Sequence, residues 1–574
     1  MAASDARALA EQLAASDDDA LTSLLAVRRV PASVSWADFF DVAEGLLDPT
    51  TLTRFLTGLS AADADALASA ARTGAPVAEE VRARLTAAAL VDADGHPYAP
   101  VADALAALPR TAVADAAAVG AAERESDAHA AERAFAASAS LADILQTALT
   151  APPARIGSGA LGAADRRRLV ESGAADDADA ADDLLGIAEA AGLVAAAERL
   201  WLVTPAGRDW LAAGTLERWH VVARHLREAL PPALRTPDGG WVAAADWPGV
   251  HPFDAAWPAQ AARLRRLLRR WAMLDATGTP AAFAAPLAAG ADADTEALGA
   301  LLPPEVDRVF LQNDLTAIAP GPLQPTLDLR LRTMARRESR AQASSYRFTS
   351  ETLNAALTAG ETADSLRDFL QSLSLTGLPQ PLAYEIERTA ARHGAVRVAP
   401  DPVLGTRVTS TDADLLRTIA VDQALRPLGL RFDDDADGAA LLSRASSETT
   451  FWMLADARYP VIALDAAGER VTLDRHRLAS ALDAAGRPDH SALLARLRAA
   501  QQRDSGAGWL SRELELAVRA RSTIVVAVRL PDGSEREFTV EAAGLGGGRL
   551  RGLDRAADVE RTLPVTSITG IRPA

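Results

Sequence analysis

The chain has 574 residues, of which 49% are hydrophobic and only 5% aromatic, and this predicts a multi-domain protein whose cores are built mainly from Leu, Val, Ile and Ala. It contains no cysteine, which excludes disulfide scaffolds, zinc ribbons, iron–sulfur clusters and thiol nucleophiles. A net charge of −18 opposes binding of the whole molecule to nucleic acid, so any such binding requires a local basic surface.

All 59 basic residues are arginine, so there is no lysine for a Walker-type phosphate loop or a Schiff base. No close histidine pair has metal-ligand spacing, and no G-x-S-x-G motif occurs. The sequence therefore predicts no catalytic residues, no metal ligands and no cofactor, and we expect that the chain is not an enzyme. The amino terminus is acidic where a secretory signal is basic, and no apolar run reaches the roughly 18 residues of a membrane span. We expect a cytoplasmic protein, able to associate with the nucleoid, with no membrane partner.

Residues 1–120 form the first predicted unit. Leu9, Leu13 and Leu21 begin a series of apolar positions spaced as on one face of short helices. The segment LVDADGHPYAPVADALAAL then predicts two short extended pieces around an Asp94-Gly95 turn, followed by a closing helix. Helices followed by a small hairpin are typical of a winged helix, so we expect a helical or winged-helix-like domain.

Residues 121–214 repeat this order and predict a second winged-helix-like domain. Three helix-like segments precede two short strands, and Thr204-Pro205 predicts the start of a further helix. Five aspartates, beginning with Asp176 and Asp177, crowd the start of the third helix, where they repel phosphate. We therefore expect this half of the chain to pack against protein and not to enter a DNA groove.

Residues 215–304 predict a helical connector with one arginine-rich segment, AARLRRLLRRWAMLDA. Leu264, Leu267 and Trp271 belong to its apolar stripe, while Arg266 and Arg270 lie on a polar side. These two arginines are candidate contacts for the nucleic-acid backbone. Pairing with the many acids of the chain is an equally good interpretation.

Residues 305–475 predict a compact α+β domain with an arginine-rich edge. Val309 to Ile318 is expected to be one buried strand, with Asn313 and Asp314 on opposite faces and one of them fixing the strand end or the following turn. After a Pro-Gly-Pro turn, a helix is expected to carry arginines on its outer face and at its end, and a second extended piece carries one more. The candidate nucleic-acid contacts here are Arg330, Arg332, Arg336, Arg337, Arg340 and Arg347.

The strand FLQNDLTAIAPGPL and the later S-x-Y-R-F-T and L-P-Q-P-L segments resemble the amino-terminal domain of XPB-type helicases, as it occurs in actinobacterial helicase-associated proteins. The resemblance is specific over residues 306–398 and weaker to about residue 471. It implies a DNA-associated, helicase-linked role. In XPB helicases this domain precedes an ATP motor, whereas this chain has no phosphate-loop lysine, no DEAD-like or DEAH-like motif and little sequence beyond residue 471. We therefore predict no helicase activity by this chain alone.

Residues 476–574 predict a helix and a small antiparallel barrel. Alternating apolar and polar residues from Ser522 onward turn at Asp532-Gly533 and break at a run of three glycines. The segment resembles the SH3-like fold of WYL domains, although the Trp-Tyr-Leu tripeptide is missing. Arg549 and Arg551 are its candidate contacts for an anionic partner.

We thus predict an α+β fold, predominantly helical, with tandem winged-helix-like modules, a central domain like the XPB amino-terminal domain and a small SH3-like β module. The first functional hypothesis is a non-catalytic, DNA-associated adaptor in DNA repair or transcription. It would bind the nucleic-acid backbone through local arginine patches and act with a protein partner such as a separate helicase. The alternatives are a protein scaffold or regulator that does not bind nucleic acid, and an accessory subunit of a separate helicase motor.

Overall fold

In a computed structural model the chain is described over residues 3–111, 125–157, 159–340, 343–433, 440–479, 489–503, 507–530, 533–555 and 557–574. It is a mixed α+β protein, about half helical, with several small sheets. The predicted α+β class is therefore confirmed, whereas the winged-helix and SH3-like assignments remain predictions. No helix within the described ranges is both long and apolar enough to span a bilayer.

The described residues before 112 form a helical unit around one core. Asp38 and Asp48 cap two of its helices, because their carboxylates accept hydrogen bonds from the first free backbone N–H groups. The two extended pieces expected around Asp94 amount to a single β-bridge between Val91 and Pro97. The helices are α1 (Ala3–Ala15), α2 (Asp18–Val27), α3 (Phe39–Leu47), α4 (Pro49–Leu56), α5 (Ala61–Thr73), α6 (Glu79–Ala87) and α7 (Ala99–Ala107).

Residues 125–304 share one core, which spans two of the predicted units. The indole N–H of Trp219 donates to the carbonyl of Trp271 at 2.8 Å, and the indole N–H of Trp271 donates to the carbonyl of Trp219 at 3.0 Å. These reciprocal bonds fix the arginine-rich helix against its neighbour. The elements are α8 (Asp127–Thr150), α9 (Ala163–Glu171), α10 (Ala178–Ala190), β1 (Val194–Ala197), β2 (Leu200–Val203), α11 (Pro205–Ala212), α12 (Thr215–Glu228), α13 (Trp257–Arg270), α14 (Ala285–Ala288) and α15 (Thr295–Leu301).

The next region contains a four-stranded sheet in the order β3-β4-β6-β5 and a core of its own. Its helices pack on one another and on the sheet. The elements are β3 (Phe310–Leu311), β4 (Thr316–Ala319), α16 (Pro325–Met334), β5 (Arg336–Arg340), β6 (Ser344–Arg347), α17 (Ser350–Thr358), α18 (Ala363–Leu373) and α19 (Gln380–Arg392).

Two expectations for this region were wrong. Val309 to Ile318 is not one strand, because the chain reverses between β3 and β4, where Leu315 has a φ of 63°. Asn313 and Asp314 therefore lie in the turn, and the Asp314 carboxylate accepts a hydrogen bond from the Thr316 hydroxyl, which confirms that one of the pair fixes the turn. The arginines after Met334 do not end the helix, since Ala335 is extended and β5 pairs with β6.

A second core lies under a six-stranded sheet in the order β12-β11-β7-β8-β10-β9. The strands β7 and β11 are parallel, and the helices after β8 and β10 pack on the buried face. The elements are β7 (Val396–Asp401), β8 (Gly405–Thr409), α20 (Ala413–Val421), β9 (Arg431–Phe432), β10 (Ala440–Ser443), α21 (Ser447–Asp456), β11 (Val461–Leu464) and β12 (Arg470–Val471).

The last region is a five-stranded antiparallel sheet, in the order β16-β15-β14-β13-β17, packed against one helix. The helix before it, α22, buries Leu493, Leu494 and Leu497 in the core of residues 6–108. The elements are α22 (Ser491–Arg503), α23 (Ala507–Ala520), β13 (Thr523–Arg529), β14 (Glu535–Gly546), β15 (Arg549–Asp554), β16 (Val559–Pro564) and β17 (Ile568–Pro573).

A buried carboxyl group lies where α1 contacts α23. The Glu513 side chain is 0% exposed, and its Oε2 lies 3.4 Å from a guanidinium nitrogen of Arg7, while its Oε1 has no hydrogen-bond partner. Burial raises the pKa of Glu513 to about 7, and the opposing attraction of Arg7 does not cancel this effect. The α1–α23 contact therefore contains a group that titrates near neutral pH.

We expect the stability of this contact to fall as pH rises. The folded-state pKa of Glu513 is above its ordinary value of 4.5, so its stabilising contribution is complete below pH 4.5 and is lost as pH rises through about 7. Glu513→Gln stays neutral, so between pH 5 and pH 8 the wild type should lose up to about 3 kcal/mol of unfolding free energy relative to the variant. Urea unfolding at several pH values measures this difference.

The matched control is Glu515→Gln, because Glu515 lies exposed on the same helix. That variant should keep the pH dependence of the wild type. Equal pH dependence in the wild type and Glu513→Gln would contradict the assignment.

Candidate nucleic-acid interface

Asp143 lies in the middle of α8 and is only 5% exposed. One oxygen accepts a hydrogen bond from Arg332 at 2.7 Å, and the other accepts one from Arg337. The side chains of Arg332 and Arg337 are only 20% and 15% exposed. Two of the predicted DNA contacts are thus engaged within the protein, where they join α16 and β5 to α8.

The surroundings of Arg332 keep it charged despite burial. Burial lowers its pKa, but the carboxylates of Asp143 and Asp328 outweigh this effect, so the pKa of Arg332 is raised above its ordinary value. The second carboxylate, Asp328, also accepts a hydrogen bond from the Tyr346 hydroxyl at 2.6 Å. The result is a connected polar network between the core of residues 125–304 and the core that contains the four-stranded sheet.

Two further arginines of the predicted edge are also paired. Arg330 donates to both oxygens of Glu361, at 2.9 and 3.1 Å, and its guanidinium lies 4.4 Å from the centre of the Phe369 ring. Arg347 donates to Glu338 at 2.6 Å. Both charges are therefore compensated locally.

The last two arginines of this edge differ from the others. Arg336 is 74% exposed and lies 3.9 Å from the carboxylate of Glu338, so its charge is largely open to solvent. The side chain of Arg340 lies outside the described residues. Arg336 is therefore the most accessible of the described candidates at this edge.

Arg266 and Arg270 lie in a cleft of about 380 Å³ between α8, α10 and α13, which we call the α13 cleft. Arg133 and Arg269 also line it. Arg266 donates to both oxygens of Asp183 at 3.0 and 2.9 Å, and Arg270 lies 3.8 Å from the same carboxylate.

The remaining cations of the α13 cleft differ in their partners. Arg133 pairs with Glu125, and within the described residues no carboxylate pairs with Arg269. Asp176 also lines the cleft, and the carboxylate of Asp179 acts electrostatically on Arg266, so four guanidinium groups face the four carboxylates of Glu125, Asp176, Asp179 and Asp183. The charges of the cleft are therefore balanced, and Arg269 is the one cleft arginine without a carboxylate partner among the described residues.

Arg549 and Arg551 are exposed on the outer face of β15, where they alternate with buried Leu550 and Gly552. In the pairing of strands they stand opposite Gly546 and Gly544 of β14, which have no side chains to cover them. Among the described residues neither has a carboxylate within ion-pair distance. They form an open cationic pair, which we call the β15 pair.

The sequence pattern missed two cleft residues, Arg133 and Arg269. Arg133 lies in α8, which starts at Asp127, and no candidate contact was predicted on that helix. Arg269 belongs to the arginine-rich segment AARLRRLLRRWAMLDA, of which only Arg266 and Arg270 were predicted as contacts. Because Arg133 comes from a different helix, the spacing within that segment could not identify it. In the part of the chain that the structure describes, no group of three or more His, Asp or Glu residues could hold a metal ion.

In a comparison with known proteins, residues 309–433 match a family described as the helicase conserved C-terminal domain. The chain is also similar to a protein from Mycobacterium tuberculosis (strain H37Rv) named DNA 3'-5' helicase XPB, with 36% identity over 91 residues. This similarity covers 16% of the chain and 17% of the relative, so the chain spans about a sixth of the length of the curated protein that it matches. The chain is therefore helicase-related over part of its length.

The prediction that the chain is not an enzyme was wrong at the level of family. Both comparisons point to a helicase-type enzyme family, although the similarity is partial. The prediction relied on two absences from the sequence, namely lysine and the known catalytic motifs. Neither absence bears on the similarity of residues 309–433 to helicases. The matching family is, moreover, described as a C-terminal helicase domain, whereas an amino-terminal one was expected.

We expect Asp143→Ala to destabilise the protein by about 3 kcal/mol or more, because it leaves the poorly exposed Arg337 without its carboxylate and Arg332 with only Asp328, at 3.6 Å. Urea unfolding monitored by tryptophan fluorescence measures the loss. Asp364→Ala is the matched control. Asp364 is an exposed residue of α18, and its carboxylate pairs with Arg367 of that helix. The control should change stability by less than about 0.5 kcal/mol. Equal effects of the two variants would contradict a structural role for Asp143.

Proposed function

We propose that this chain acts in a helicase-linked process on DNA, in repair or in transcription, and binds the nucleic-acid backbone through local arginines. The observation that carries the proposal is the β15 pair, in which Arg549 and Arg551 lie exposed on one strand face with no described carboxylate partner. The name of the M. tuberculosis relative, a DNA 3'-5' helicase, supports DNA as the partner.

The electrostatics decide which arginines are useful for this role. Because the net charge is −18, the molecule as a whole repels DNA, and only a cation that the chain's own acids leave uncompensated gains from a phosphate. Arg269 in the α13 cleft and the β15 pair meet this condition. On the β14 side, the facing Gly544 and Gly546 present no side chain to an approaching phosphate backbone, whereas on the β16 side Thr562 and Pro564 stand opposite the pair.

The predicted edge around α16 and β5 is a weaker candidate. Arg330, Arg332 and Arg337 are held by Glu361 and Asp143, so a phosphate would have to displace a carboxylate that is already in place. Charge removal at these positions would also disturb the fold. We therefore propose that the β15 pair and Arg269, and not this edge, make the main contacts with the DNA backbone. Arg336 is an additional exposed cation.

A second candidate function is a protein scaffold or regulator, or an accessory subunit of a separate helicase motor. It is favoured by one observation, namely that most of the predicted arginines pair with the chain's own carboxylates. These arginines are Arg266, Arg270, Arg330, Arg332, Arg337 and Arg347. In this function the same ion pairs hold the domains in position for a protein partner.

DNA binding by the full chain tests the proposal. Fluorescence anisotropy with single-stranded, forked and duplex DNA should show binding that weakens steeply with salt. Arg549→Gln with Arg551→Gln should weaken this binding by about tenfold at low salt and reduce the salt slope by about 1.5, because two phosphate contacts are lost.

The matched control is Arg529→Gln with Arg572→Gln. It makes the same change of charge in the same sheet, but its arginines already pair with Glu535 at 3.6 Å and with Glu537 at 2.6 Å. An equal loss in both double variants would show a general charge effect and reject the β15 pair as a site. If the wild type binds none of the three DNAs at low salt, the second candidate function takes its place.

A further inference from the structure

A cavity of about 830 Å³ lies between the core of residues 309–386 and the core of residues 396–463. One wall is made by α17 and α19, and the opposite wall by α21 and by residues 472–476 after β12. Thr150, the last residue of α8, closes one end. A concave site between separately packed units, in the size range of small-molecule sites, is a common location for a ligand.

Four arginines line this cavity, and none of the four was among the predicted contacts. Three of them have a carboxylate partner: Arg388 donates to Glu385 at 2.8 Å, Arg458 lies 3.4 Å from Glu351, and Arg475 bonds both oxygens of Asp456. Each of these three guanidinium groups keeps unused N–H donors, because a guanidinium has five.

The fourth arginine, Arg392, is open. It is exposed in the last turn of α19, and no carboxylate of the described chain pairs with it. It contributes an uncompensated positive charge to the rim of the cavity. An anionic group bound there would interact with Arg392 and with the free donors of its three neighbours.

Two further side chains of the lining carry a neutral N–H group. The indole Nε1 of Trp452 is itself buried and has no hydrogen-bond acceptor, so Trp452 presents its ring to the cavity and not this N–H group. The Asn354 side-chain carbonyl lies 3.1 Å from Nδ1 of His393. Because burial and the neighbouring Arg470 lower the pKa of His393 to about 4, this histidine is neutral at physiological pH.

The hydrogen bonds of His393 determine which end of Asn354 is free. Arg470 can only donate, and its Nη2 lies 3.1 Å from Nε2 of His393, so Nε2 accepts and Nδ1 carries the proton. That proton is donated to the Asn354 carbonyl. The Asn354 amide nitrogen therefore remains a donor for a ligand in the cavity.

The apolar part of the lining is suited to a flat ring. Trp452 and Pro460 lie beside small residues of α17 and α21, among them Ala355, Ala359 and Ala455. Small side chains leave room for a planar group to lie against the helices. The cavity thus combines four guanidinium groups, the carboxylates of Glu351, Asp456 and Asp474, the Asn354 amide donor and an apolar surface.

We propose that this cavity binds a nucleotide unit, with the phosphate on Arg392 and Arg458 and the base against the apolar lining, within reach of the Asn354 donor. The unit can be a free mononucleotide or part of a single strand, since both present the same phosphate and base. The site is separate from the β15 pair and the α13 cleft, so it does not depend on backbone binding at those places.

Isothermal titration calorimetry on the full chain tests the proposal with AMP, adenosine and inorganic phosphate, and a fluorescent eight-residue oligo-dA reports on the strand. AMP or the oligonucleotide should bind more tightly than adenosine and phosphate. Arg392→Gln with Arg458→Gln should weaken this binding by tenfold or more, because two charge-assisted hydrogen bonds are lost.

The matched control is Arg417→Gln with Arg426→Gln, which removes two exposed charges from the same region outside the cavity lining. It should leave binding unchanged, and Arg549→Gln with Arg551→Gln should leave AMP binding unchanged, so that failure here is distinct from failure of DNA binding at the β15 pair. Binding of AMP but not of the oligonucleotide identifies a free nucleotide as the ligand. Oligonucleotide binding that is tighter than AMP binding, and that the Arg392 and Arg458 variant weakens, identifies a strand. No binding of either, equal binding of phosphate or adenosine alone, or no effect of the Arg392 and Arg458 variant overturns the proposal.

Discussion

One buried carboxylate, Asp143, sets the relation between the helical half of the protein and its helicase-related region. It projects from the middle of the 24-residue helix α8, where solvent hardly reaches it, and it bonds two guanidinium groups from α16 and β5. A charge in such a place is stable only if its partners are held in register, so the contact fixes where the second region sits on α8. The sequence pattern suggested that these arginines form a phosphate-binding surface. In the structure they are part of the internal packing.

A neighbouring arginine shows how closely this junction is packed. Arg218 lines the same interdomain cavity as Asp143, and its side chain donates to the carbonyls of Trp210 and Leu211. Burial lowers the pKa of Arg218 to about 10, which still leaves it charged at physiological pH. The units of this protein are therefore joined by buried polar contacts and not only by linkers. A similar joint occurs farther along, where the backbone N–H of Ala479 donates to the carbonyl of Val203 at 2.8 Å and extends the small hairpin of the first half.

Local chemistry explains which features could be predicted. The helices that begin at Ser350 and Ala363 carry capping boxes, with Thr349 paired to Thr352 and Thr362 paired to Ser365, and such signals are complete within four residues. The segment Arg336 to Arg340 gave no such signal, because its strand exists only by pairing with β6. The partners of Arg332 and Arg337 lie almost 200 positions away, so no local pattern could distinguish a structural arginine from a surface one. The same holds for the nucleotide-sized cavity, whose walls come from two cores.

The reciprocal indole bonds between Trp219 and Trp271 have a further consequence for the arginine-rich helix. Each bond is directional, and the two together allow α13 neither to slide along α12 nor to turn about its own axis without breaking one of them. The guanidinium groups at the end of α13 are thus presented from a fixed base. A ligand that binds these guanidinium groups loses its own translational freedom. It does not have to order the backbone of the helix, because that backbone entropy has already been lost during folding.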